Sequence, residues 1–236
     1  MRPLKSDIPA GVTERTVKEF SEDKFGMGGI VHLEVRECIK DGKVVGERLY
    51  DGQGRLQIER PLKNRKKHGR EIYFNDDGTI LLIEPYADGK IHGTARQYDR
   101  KGRIVGTYAM VHGTGYDVWR NQNAGGPIYV SEIHSMADGI PHGVEWWLNE
   151  DQKSVHEEKH WYEGSYHGIE REWHRSGKLM RGYPKYWVHG EAVTKRQYVQ
   201  AAQKDPTLPP FRLKDNSPWR EFPPEIRRLL RPFKKK

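Results

Sequence analysis

Asp88-Gly89-Lys90-Ile91-His92-Gly93-Thr94-Ala95-Arg96-Gln97-Tyr98 is the stretch whose pieces return along the chain. The Gly-x-x-His-Gly spacing comes back at Gly139-Ile140-Pro141-His142-Gly143 and at Gly164-Ser165-Tyr166-His167-Gly168, each time followed by a short run that carries an aromatic residue. Gly42-Lys43-Val44-Val45-Gly46 is a degenerate copy with Val45 in the histidine position. Self-similarity at this period marks a repeat architecture, in which small units share a shallow core with their neighbours.

Working outward, His-Gly recurs at residues 68, 92, 112, 142, 167 and 189, with steps of 24, 20, 30, 25 and 22. In three units a second glycine follows nine residues after the first, Gly69 to Gly78, Gly93 to Gly102 and Gly168 to Gly177. Turn residues between alternating runs are a hairpin signal. The expected strands are Arg70 to Phe74 with Thr79 to Glu84, and Thr94 to Tyr98 with Arg103 to Tyr108. Ile30 to Ile39 also alternates, with Val31, Leu33 and Val35 on one side, the period of a half-buried strand. Two units depart from the pattern: one is swollen by Asn121 to Pro127, and one has Asn149-Glu150-Asp151-Gln152 where a turn glycine is expected.

A large apolar residue stands five positions after the His-Gly glycine in most units: Phe74, Tyr98, Val118 beside Trp119, Leu148 and Trp173. On strands these predict a ladder of side chains that forms the core of a one-sheet stack. The whole-chain composition agrees. Only 35% of residues are hydrophobic and mean hydropathy is −0.92, yet there are 7 Trp and 12 Tyr, too many rings for a disordered chain.

The pattern Asp-Gly-x-x-His-Gly, an aromatic strand and a glycine turn resembles the MORN-repeat families (membrane occupation and recognition nexus), in particular the divergent variant of the bacterial YwqK-type antitoxin proteins. The resemblance covers about residues 41 to 190 and is best at Asp88 to Gly102, Asp138 to Trp147 and Glu163 to Gly177. It implies an all-β fold, an elongated single antiparallel sheet of stacked hairpins, and a role in binding proteins or, for some members, lipid. The expected organisation is an N-terminal strand segment or cap over 1–40, hairpin repeats over 41–193, and a basic C-terminal helix with a Pro-rich tail over 194–236.

The net charge of +8 lies wholly in that last part: from Thr194 onward there are 12 Lys and Arg against 4 Asp and Glu. Such asymmetry suggests a partner of its own for the tail. Thr194 is a suitable N-cap for a helix ending at Asp205-Pro206, which would cap the stack. A second helix is expected over Pro224 to Arg231, with Ile226, Leu229 and Leu230 in one apolar stripe. Cys38 is the only cysteine, so no intramolecular disulfide can form. With no apolar leader segment and no run of roughly 18 apolar residues, the chain reads as soluble and cytoplasmic, without a transmembrane segment.

The repeated histidines raise metal binding, but equivalent positions two strands apart are roughly 9.5 Å from one another, too far to share an ion. His156 and His160 share a strand face at a separation of about 13 Å. Cys38 sits on a strand without a placed base, and the glycines punctuate hairpins instead of opening a phosphate-binding helix. No catalytic residue, metal or cofactor is implied, and a small-molecule ligand is not expected.

Binding is the remaining class, with another protein as the expected partner. The candidates are Trp146, Trp147, Trp161, Tyr162, Trp173, Tyr186, Trp187, Ile226, Leu229 and Leu230, since Trp and Tyr lead interface hot spots. Adjacent rings on a strand point to opposite faces, so one of Trp146 and Trp147, and one of Tyr186 and Trp187, lie away from the ladder unless a cap covers them. The alternative partner is nucleic acid or a nucleoprotein, held by Arg227, Arg228, Arg231, Lys234, Lys235 and Lys236 and extended by Arg65, Lys66 and Lys67.

Overall fold

The computed structural model describes residues 5–23, 30–122 and 126–230. The fold is an open antiparallel β-sheet of stacked hairpins, eighteen strands among the described residues, with two short α-helices near the C-terminus. Its contacts group it into two compact units, Met1–His112 and Gly113–Lys236. No helix among the described residues is long and apolar enough to cross a membrane.

The first unit comprises β1 (Thr13–Asp23), β2 (Ile30–Lys40), β3 (Lys43–Asp51), β4 (Leu56–Lys63), β5 (Lys66–Lys67), β6 (Gly69–Phe74), β7 (Ile80–Ala87), β8 (Lys90–Ile91), β9 (Gly93–Tyr98) and β10 (Ile104–Val111). Each pairs with the next hairpin arm in turn, β4 continuing to β6 past the short β5, and β7 to β9 past β8. β1 was not legible as a strand. Thr13 to Lys18 are exposed, so neither face of β1 carries an apolar stripe there, and the strand exists by backbone pairing to β2.

The second unit comprises β11 (Thr114–Gln122), β12 (Ile128–Ala137), β13 (Ile140–Leu148), β14 (Val155–Tyr162), β15 (Ser165–Tyr166), β16 (Gly168–Glu172), β17 (Lys185–Val188) and β18 (Glu191–Val193), then α1 (Lys195–Ala202) and α2 (Pro224–Leu229). Thr194 caps α1 in a reciprocal capping box with Gln197.

The repeat is more regular than the His-Gly steps imply. Asp41-Gly42, Asn64-Arg65, Asp88-Gly89, His112-Gly113, Asp138-Gly139, Glu163-Gly164 and His189-Gly190 all have positive φ at both residues, the two-residue hairpin turn that matches strand twist. The first residues of these turns stand 23 to 26 apart. His112 and His189 are therefore turn residues, whereas His68, His92, His142 and His167 follow the turn by a few residues. Counting both kinds together produced the uneven steps of 20 and 30. Five hairpin ends among the described residues are four-residue turns, closed by Gly54, Gly78, Gly102 and Gly177 and, in the unit without a turn glycine, by Gln152 at φ 56°.

The post-turn histidines fasten neighbouring repeats. Nδ1 of His92 accepts the backbone N–H of His112 at 3.2 Å and Nδ1 of His167 that of His189 at 3.0 Å, with longer contacts from Asp88 to His68 and from Glu163 to His142. Gly190 N–H also donates to Tyr166 O at 2.8 Å, so the turn is held at two points.

The expected ladder holds only in part. Val118, Leu148 and Trp173 are buried, but Phe74 and Tyr98 are half-buried. Much of the interior is polar and sits two residues after the His-Gly glycine: Glu71, Glu145 and Glu170 are all buried there. Each is satisfied by donors from neighbouring side chains, as a buried carboxylate must be. Glu71 accepts from Arg60 and Lys67. Glu84, opposite Glu71, accepts from the phenols of Tyr86 and Tyr108, and the single Tyr73 O–H lies within reach of both carboxylates, 3.2 Å from Glu71 and 3.1 Å from Glu84.

Candidate binding face of the second unit

Strand alternation sorts the candidate rings. Trp146, Trp173 and Tyr186 lie on one face, and residues 205–226 fold back over it. Phe222 meets Trp146 edge-on with centroids 5.4 Å apart, Asn216 O accepts the Trp173 indole N–H at 2.7 Å, and Tyr186 packs against Tyr198 and Phe211. The Arg220 guanidinium stacks on Trp173 at 4.9 Å and donates to Glu158 at 2.8 Å. Glu158 also accepts from Arg171 and Trp146; burial pushes its pKa up, but the charges of Arg220 and Arg171 outweigh that and hold it down to about 2. Ile226 is fully buried.

Trp146, Trp173, Tyr186 and Ile226 therefore serve the chain's own packing. The C-terminal part is a strap whose Leu208, Phe222 and Ile226 are buried in cis, while Leu213 and Trp219 stay exposed. Leu229 and Leu230 are half-buried, and Arg227 and Arg228 exposed. Arg65 and Lys66 are exposed in the first unit, while Lys67 is committed to Glu71 and the Tyr86 ring. Arg231, Lys234, Lys235 and Lys236 lie outside the described residues.

The opposite face of the same strands is not covered by the strap. It carries Trp147, Trp161 and Trp187, all half-exposed, and the sequence had not singled out Tyr166 between them. Trp161 stacks on Tyr166 at 4.2 Å and Tyr166 on Trp187 at 5.1 Å. Trp147 and Trp161 both donate their indole N–H to Glu145, at 2.7 and 2.9 Å, and Trp187 donates to Glu170 at 2.9 Å. The stacked rings of this protein are thus here, not at the fifth position of the repeat. Tyr162 belongs to neither group: it sits between the rings of His142 and His167.

Register places Asp117, His134, Glu145 and Lys159 in one row across four strands, with Glu132, Trp147, Glu157 and Glu172 in the next. His134 contacts Glu132 at 3.1 Å and Glu145 at 3.5 Å. Burial alone would depress its pKa, but these carboxylates and the charge of Asp117 outweigh that and raise it to about 10. His134 is consequently an imidazolium at neutral pH. Burial pushes Glu145 upward, but His134, Trp147 and Lys159 bring it down to about 2. Beside this row lies a cavity of 240 Å³ lined by Asp117, His134, Ser135, Met136, Pro141, Glu145 and Trp161.

One set of side chains has the composition of a metal site: His167, His189 and Asp205 have potential ligand atoms within 4.8 Å of one another. The distance expected between repeat histidines does not apply, because His189 is a turn residue and its ring lies 4.3 Å from that of His167. The hydrogen bonding nevertheless opposes coordination. Nδ1 of His167 accepts the His189 N–H, so in the neutral ring Nε2 carries the proton and faces Thr207 Oγ1 at 2.9 Å. A nitrogen bearing a proton offers no lone pair to a metal, so the group instead pins the end of α1 to the turn. His160, which burial keeps neutral, hydrogen-bonds Ile169 O, and Cys38 is fully buried with its thiol pushed up to about 11 by burial.

Comparison with protein-family models and with curated proteins gave no match.

Proposed function

We propose that this chain is a non-catalytic, MORN-like hairpin-repeat protein that binds another protein, in the manner of an antitoxin, immunity or accessory subunit, and that the uncovered face of the second unit is its contact surface. The observation that carries this reading is the row Trp161, Tyr166 and Trp187. Its rings are half-exposed yet held by stacking and by hydrogen bonds to Glu145 and Glu170. Rings already fixed in place lose little entropy on binding, which is the property of an interface anchor. The strap removes the alternative rings from competition by covering them.

A second reading rests on Arg227 and Arg228, which α2 presents to solvent while Ile226 anchors the helix. On that reading the C-terminal segment contacts the phosphates of nucleic acid or a nucleoprotein. Site-specific photocrosslinking in cells separates the two. A benzophenone side chain at position 187 or 161 is expected to give one discrete protein adduct that position 227 does not. Adducts from position 227 alone, together with salt-sensitive binding of an RNA or DNA probe that is lost in Arg227→Ala/Arg228→Ala, overturn the first reading in favour of the second.

A further inference from the structure

Resting on the proposed protein-binding role, we infer that the uncovered face of the second unit takes an extended protein segment whose arginine or lysine side chain enters the cavity between Asp117, Glu145 and Trp161. Charge is the first argument. Across β11 to β17 this face presents six carboxylates, Asp117, Glu132, Glu145, Glu157, Glu170 and Glu172, against Lys159, Lys185 and the His134 imidazolium. Lys159 is shared between Glu145 and Glu157, and Lys185 lies over the Tyr183 ring beside Glu170. With every internal cation counted, the face retains an excess of negative charge. The chain as a whole is at +8, so a cationic segment is drawn to this face and not to the protein at large.

Shape is the second argument. The cavity of 240 Å³ has an aromatic wall in Trp161, the carboxylates of Asp117 and Glu145 with the His134 imidazolium and Ser135 beside them, and the apolar atoms of Met136 and Pro141. A guanidinium or ammonium on an apolar stem matches that lining: stem against Met136 and Pro141, head toward the carboxylates and the ring. From Trp161 the stacked row leads on through Tyr166 to Trp187, so neighbouring residues of the segment would lie along it. A neutral side chain would displace the water on Asp117 and Glu145 without returning a charge-assisted hydrogen bond, and an acidic one would add like charge to the face.

The test uses the full chain and a fluorescein-labelled peptide, Gly-Ser-Leu-Arg-Leu-Arg-Leu-Ser-Gly, beside the same peptide with citrulline for arginine, which keeps shape and removes charge. Fluorescence anisotropy should give binding about tenfold tighter for the arginine peptide. Asp117→Asn and Trp187→Ala should each weaken it several-fold. Met136→Lys, which removes no internal partner and adds an ammonium at the cavity, should do the same with an unchanged thermal midpoint. Equal binding of the two peptides, preference for a glutamate version, or indifference to Met136→Lys overturns the inference. Should any of these occur while crosslinking from position 187 still yields its discrete protein adduct, the protein-binding role stands and only the cationic specificity falls.

Discussion

Nδ1 of His167 lies 3.0 Å from the backbone nitrogen of His189, accepting its N–H, in a ring that is 1% exposed. One repeat thereby holds the turn of the next, and the bond exists only while Nδ1 keeps its lone pair. Burial holds the His167 pKa below its ordinary value, against the counter-pull of Asp205. In the unfolded chain the same group titrates near about 6.5.

The first prediction follows from that difference. Stability tied to His167 is fully present above the unfolded pKa and is lost as pH falls through it toward the folded one, because the unfolded chain binds the proton more tightly. Urea midpoints measured from neutral to mildly acidic pH should fall. His167→Ala should lower stability at neutral pH by roughly 1–3 kcal/mol through the lost hydrogen bond and packing, and should flatten part of the acid slope.

His134 predicts the opposite limb. Its folded pKa is raised, so its contribution is complete below the unfolded value and is lost as pH rises through about 10. NMR titration of the imidazole C–H signals should show one histidine still protonated well above neutrality. A His134 signal that titrates near the unperturbed value would contradict the carboxylate cage built by Glu132, Asp117 and Glu145.

The strap should be breakable at Ile226, whose side chain is fully buried. Ile226→Ala is expected to cost roughly 2–5 kcal/mol if the strap unfolds with its unit. If it opens separately, limited proteolysis should cut first between residues 205 and 222 with the repeat strands intact. In either case fluorescence of the covered Trp146 and Trp173 should shift red, the sign of rings newly in water.

Gln152 gives a test in which a glycine is worse. At φ 56° a non-glycine residue is strained by roughly 1–2 kcal/mol, so glycine should relieve the backbone. The Gln152 amide, however, accepts Val130 N–H at 3.0 Å and donates to Val130 O at 2.9 Å, acting as an extra strand partner for a buried residue. Leaving two buried backbone groups unpaired costs roughly 1–3 kcal/mol each. Gln152→Gly should therefore destabilise on balance, measured by chemical denaturation, and Gln152→Ala more so.

The amino-acid sequence by itself determined the hairpin repeat and the antiparallel sheet, because turn geometry and strand alternation are local. The positive-φ turns at Asp41-Gly42, Asp88-Gly89 and Asp138-Gly139 are marked by their Asp-Gly pairs, and Thr194 marks the start of α1. Only the tertiary structure decided which His-Gly pairs are turns and which are fasteners, since that depends on what lies one repeat away. It likewise decided that the strap covers Trp146, Trp173 and Tyr186 and leaves Trp147, Trp161 and Trp187 uncovered. Alternation says that adjacent rings part company, but the side that the C-terminal segment folds over is set by contacts between residues up to 109 positions apart, such as Arg120 with Leu229. The buried glutamates were hidden for the same reason: a carboxylate reads as solvent-facing until the indoles and phenols that satisfy it are seen to converge from neighbouring strands.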